Sequence, residues 1–135
     1  MTEQQIDLVQ KSYQKVDAIS DTAAGIFYEK LFELDPELKS TLFRQTDIAE
    51  QGKKLMSMIK MAIAGLSNLE KLVPAVQQLG QRHSQYGVEE KHYETVGSAL
   101  IYTLGAGLGD EFNEDLNEAW VTCYTLLART MKDAV

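Results

Sequence analysis

Apolar residues recur at three- and four-residue steps along nearly the whole chain, and no segment alternates in the way a half-buried strand would. Ile6, Val9, Tyr13 and Val16 set the pattern, predicting an amphipathic helix over about 3–18. Ser20 and Asp21 offer capping oxygens for a second helix that carries Phe27, Tyr28, Leu31 and Phe32 and stops at Asp35-Pro36. Pro36 suits the first turn of a third, short helix ending near Leu42-Phe43. The polar stretch RQTDIAEQG reads as a loop running into a fourth helix with the apolar line Leu55, Met58, Ile59, Ala62 and Leu66. After Ser67-Asn68 comes a helix bearing Leu72, Val76 and Leu79, with Pro74 in its first turns and a stop at Tyr86-Gly87. Two long helices follow, over about 89–108 and 113–134. The expected fold is therefore all-α, one domain over residues 1–135, with six to seven main helices.

Charge and composition narrow the function. A net charge of −7 disfavours nucleic acid and anionic lipid, which both want a basic face. No apolar run approaches the ~18–20 residues of a membrane span, and the N-terminus lacks a signal-peptide pattern. Cys123 is the one cysteine, so neither an internal disulfide nor a CxxC site can form. A cytoplasmic protein is expected, either a monomer or a weak homodimer.

The stretch QRHSQYGVEEKHYETVG, residues 81–97, holds both histidines. His83 and His92 are nine residues apart, which on a straight helix leaves them half a turn out of alignment, so they cannot share one metal there. Zinc would need further Cys, His or carboxylate ligands at suitable spacing, and none cluster here. His83 continues the stripe Leu72, Val76, Leu79 and faces inward, while His92 sits at a helix start and is expected to be solvated. By position alone an inward histidine reads as a hydrogen-bonded core residue. It also suffices as the single protein ligand of a haem iron, whose porphyrin fills four positions. Phe43 at a helix-to-loop corner, Tyr28 on an inward face and Gln51 one turn before Leu55 add three residues unusual for a plain core.

FYEKLF at 27–32, DPELKSTLF at 35–43, EQGKKLM at 50–56, residues 81–97 and AW at 119–120 occur in an order and spacing that resemble the globins. More narrowly, the chain is similar to single-domain bacterial haemoglobins and to the haem domain of flavohaemoglobins. The resemblance implies a globin fold, with its D helix short or absent, around haem b (iron protoporphyrin IX). It implies His83 as the proximal iron ligand, with its second ring N–H held by the Leu79 carbonyl. Phe43 would wedge the porphyrin, Val88 would touch its edge and Lys54 would approach a propionate. Tyr28 and Gln51 would form the distal polar pair beside Leu55, and Tyr93 matches a tyrosine that flavohaemoglobins keep near the proximal histidine. Trp120 and Cys123 fall on an apolar stripe and read as core.

Two departures bear on activity. The glutamate that completes the proximal site of flavohaemoglobins falls at or near Val135 here, and the nearest carboxylate is Asp133. The flavin- and NAD-binding reductase domain has no counterpart in these 135 residues, so electrons are expected from a separate reductase. The implied function is reversible binding of O2, and of NO and CO, at a five-coordinate haem iron. The alternatives are nitric oxide dioxygenase activity with an external reductase, and haem-based gas sensing.

Overall fold

A computed structural model describes residues 1–134. Its described residues form six α-helices and no strand: α1 Glu3–Asp17, α2 Ser20–Leu34, α3 Ile48–Gly65, α4 Leu69–Gln85, α5 Glu90–Leu108 and α6 Glu114–Asp133. Two short 3-10 turns, Pro36–Lys39 and Gly109–Glu111, complete the set. No separate helix lies between the first 3-10 turn and α3.

Local chemistry explains several boundaries. Thr2 and Gln5 cap α1 reciprocally: the Thr2 hydroxyl accepts from the Gln5 amide N–H, and the Gln5 side chain accepts from the Thr2 N–H. The third helix is shorter than its sequence suggests. The hydroxyls of Ser40 and Thr41 both donate to the Glu37 carbonyl, at 3.0 and 2.8 Å, and compete with the backbone for it. Only the 3-10 turn survives, and Phe43 N–H closes the corner onto the Leu38 carbonyl at 3.0 Å. α3 begins earlier than expected. The Asp47 carboxylate accepts from the N–H groups of Ala49 and Glu50, so Ile48 to Gly52 are helical rather than loop. Ser20 and Asp21 do not cap α2; Ile19 occupies that position and gives no side-chain bond.

The helices enclose two apolar clusters. The larger centres on Trp120, packed with Val9, Tyr13, Leu66, Leu104 and Cys123. Its polar atoms are satisfied internally. The Trp120 indole donates to the Ser12 hydroxyl at 2.9 Å, Ser12 donates to the Val9 carbonyl, and the Tyr13 hydroxyl donates to the Met56 carbonyl at 3.1 Å. Burial pushes the Cys123 thiol up to about 12, which makes it a packing residue rather than a nucleophile. The smaller cluster joins Phe27, Tyr28, Leu31, Leu38 and Ala99, with Phe43, Leu55 and Val96 packed against it. α2 and α3 cross closely because Gly52 has no side chain: a Cβ there would lie 3.0 Å from that of Ala24. This crossing sets Tyr28 of α2 beside the first turn of α3.

Candidate functional site

Tyr28 is 4% exposed and sits in a nest of aromatic rings. Phe27 and Phe43 meet it edge-on, with centroids at 5.1 and 5.7 Å, and Phe32 stacks tilted at 6.0 Å. Burial in this cluster raises the phenol to about 12, while the polar Gln51 side chain nearby pulls the other way. At neutral pH Tyr28 is therefore an un-ionised hydroxyl with a proton to donate. Gln51, half-buried in the first turn of α3, is its polar neighbour, and Leu55 one turn on packs against the same cluster. Tyr28, Gln51, Phe43 and Leu55 are thus brought together on one wall. Lys54 points to solvent and makes no ion pair among the described residues.

His83 and Leu79 make a second element, on α4. The Nδ1 of His83 lies 2.7 Å from the Leu79 carbonyl oxygen. A carbonyl can only accept, so Nδ1 carries a proton, and Nε2 is the ring nitrogen left for a ligand in a half-buried setting. Gly87, at φ +89°, turns the chain after α4, and the Val88 N–H donates to the His83 carbonyl at 3.0 Å. Val88 is thereby fixed to His83 through the backbone.

Tyr93 is buried near the start of α5, and its carbonyl accepts from the Tyr124 hydroxyl at 2.6 Å. The ammonium of Lys132 lies 5.8 Å from the centre of the Tyr93 ring. Asp133 is exposed, and Val135, where the proximal glutamate of flavohaemoglobins would fall, lies outside the described residues.

His92 differs from its expected solvated state. It is 9% exposed, and its Nδ1 accepts from the Glu89 N–H at 2.8 Å while the Glu89 side chain accepts from the His92 N–H. The pair is a capping box with imidazole in place of the usual carboxylate or amide. The spacing Glu-x-x-His at a helix start was the signal for it.

The donor set discriminates between metal centres. No group of three His, Cys, Asp or Glu that could hold a bare ion occurs among the described residues. One imidazole on α4 whose Nδ1 is committed to a carbonyl, together with the separate apolar wall around Tyr28, is a donor set that suits haem rather than a bare ion.

Comparison with known proteins decides the family. Residues 26–131 match the model of the family described as Globin. The chain belongs to the globin family. This globin is 32% identical to a flavohemoprotein of Rhodopirellula baltica, over 95% of its own length and 32% of the relative's. It is 28% identical to the flavohemoprotein of Bacillus subtilis, over 91% of its length and 31% of that protein. The chain thus spans about a third of the length of these flavohemoproteins. It is also 28% identical to a neuroglobin of Chaenocephalus aceratus, covering 97% of this chain and 90% of the other. Among solved structures it resembles a hexacoordinated heme protein from an anhydrobiotic tardigrade, with a TM-score of 0.82, 17% identity, and coverage of 99% and 94%. At that identity the likeness bears on the fold alone. Among the described residues no helix is long and apolar enough to cross a membrane.

Proposed function

We propose that this globin holds haem b through Nε2 of His83 and reversibly binds O2, and with it NO and CO, at a five-coordinate iron. The observation that carries the reading is the pairing of two preset groups. One is an imidazole whose Nδ1–H is committed to the Leu79 carbonyl at 2.7 Å, and the other is a buried, un-ionised Tyr28 beside Gln51. Haem supplies an iron with a coordination position left open for a diatomic gas. The residues do the rest. The Leu79 carbonyl fixes the ring tautomer and orientation of His83 and raises its basicity. Phe43 and Leu55 would give the apolar wall, Val88, tied to His83 through the backbone, would extend it, and the exposed Lys54 would meet a propionate. Tyr28 donates a hydrogen bond to a gas that gains negative charge on binding, and Gln51 is the second donor.

The deoxy-ferrous absorption spectrum tests this assignment. A high-spin five-coordinate spectrum that converts reversibly on oxygenation is expected. A low-spin six-coordinate spectrum would place a protein side chain, such as Gln51, on the iron and overturn it.

A second reading draws support from the flavohemoprotein matches. In nitric oxide dioxygenation, one NO, one O2 and one electron give one nitrate, with the electron delivered by a reductase partner. The Tyr28–Gln51 pair serves that chemistry equally. Catalytic removal of NO by the haem-loaded protein with NADH and a flavin reductase, far above the rate without reductase, would support it. Stoichiometric removal alone would exclude it.

A further inference from the structure

α4 bears two adjacent stripes. Its buried residues, Leu72, Val76 and Gly80, follow each other at steps of four and dock the helix onto its neighbours. Leu79 and His83, also four apart, form the stripe of the site. Residues 79 and 80 differ by about 100° around the axis, so the docking face and the histidine face are set side by side.

At Gly80 the backbones of α4 and α6 come close together. A Cβ built there would lie 2.3 Å from the Met131 carbonyl oxygen, 2.6 Å from its Cα and 2.8 Å from its carbonyl carbon. These are backbone atoms, so no rotamer change of Met131 relieves the overlap. The same end of α6 also meets α4 through Gln81, whose Nε2 donates to the Ala134 carbonyl at 3.4 Å. Restoring the 3.0 Å that real Cβ contacts respect, from 2.3 Å, moves one helix by at least about 0.7 Å.

We infer that Gly80 is a positioning residue: its backbone contact with Met131 sets how deep α4 lies against α6, and so where the His83 imidazole stands. This rests on the haem reading above. Interiors transmit such a displacement because they are close-packed. His83 is less than one helical turn from Gly80, so the displacement reaches its ring directly.

The test compares haem-loaded wild type with Gly80→Ala and Gly65→Ala. Gly65 is the control, because a Cβ there meets no backbone of α4: its contacts are the Leu72 side chain, Cδ1 at 2.9 Å, Cβ at 3.2 Å and Cγ at 3.3 Å, where a few tenths of an ångström of give suffices. Resonance Raman spectra of the deoxy-ferrous proteins should show a shifted iron–histidine stretch in Gly80→Ala alone, with haem loss faster by roughly tenfold or more. An unshifted band in Gly80→Ala, or an equal shift in Gly65→Ala, overturns the inference. If Gly80→Ala does not fold, a chain ending at Thr130 removes the Met131 backbone instead. A shifted band then supports the inference and an unchanged one overturns it. Should the wild type take up no haem, the haem reading fails separately, and amide exchange in the haem-free proteins still reads the contact. Protection at Leu79 to Ser84 lowered tenfold or more in Gly80→Ala only supports it, and equal protection in both variants overturns it.

Discussion

Replacing Tyr28 by Phe removes one oxygen atom and leaves the ring in place among Phe27, Phe32 and Phe43. Edge-on aromatic contacts of this kind contribute about 0.5–1.5 kcal/mol each, and the variant keeps them. Its unfolding free energy is therefore expected within about 1 kcal/mol of wild type, since only a neutral polar contact with the nearby Gln51 side chain is lost. Ligand release should change far more. The hydroxyl stays protonated at neutral pH, so under the proposed function it would donate to a bound gas carrying negative charge, and such bonds are worth about 1.5–3 kcal/mol. That range corresponds to roughly ten- to a hundredfold in the oxygen off-rate. Gln51 remains as a second donor, which puts the expected increase toward the lower end. Stopped-flow displacement of O2 by CO at 25 °C measures the rate, and urea unfolding of the same samples measures stability. An off-rate within twofold of wild type would refute the distal role of Tyr28. A large loss of stability would instead show that its hydroxyl belongs to the core.

Two further outcomes follow from the buried polar groups. Tyr13 and Tyr28 are both raised to about 12 by burial, against about 10 for a free phenol, and burial raises Tyr124 as well. A group with a raised folded pKa gives stability that is whole below its unfolded value and is lost as pH climbs through the folded one. The urea midpoint should thus fall steeply between about pH 10 and about 12, and a flat profile across that window would contradict the burial of these phenols. His92→Ala removes the acceptor of the Glu89 N–H and should cost about 1 kcal/mol, read as a lower urea midpoint at unchanged slope. No change in midpoint would mean that the cap contributes nothing.

The helical architecture was legible in the sequence because stripes such as Ile6, Val9, Tyr13 and Val16 recur with the helical period, and Val9, Tyr13 and Val16 are buried. Boundaries were less so where side chains bid for backbone groups. Ser40 and Thr41 shorten the third helix through Glu37, and Asp47 starts α3 before the polar run RQTDIAEQG has ended. The inward stripe of α4 placed His83 and Leu79 on one face, and the bond between them follows from four-residue spacing. His92 was misread because its burial depends on a reciprocal bond with Glu89, which charge and neighbouring polarity do not reveal. The contact of Gly80 with Met131 joins residues 51 positions apart, and no local pattern announces it.

The central claim is that His83 alone ties a haem iron to this chain. Absorption spectra during titration with haem test it most directly, in wild type and in His83→Ala. An intense Soret band saturating at one haem per chain in wild type, and absent or strongly weakened and shifted in His83→Ala, is the expected result. A wild-type chain without such a band, or a His83→Ala spectrum identical to it, would contradict the account.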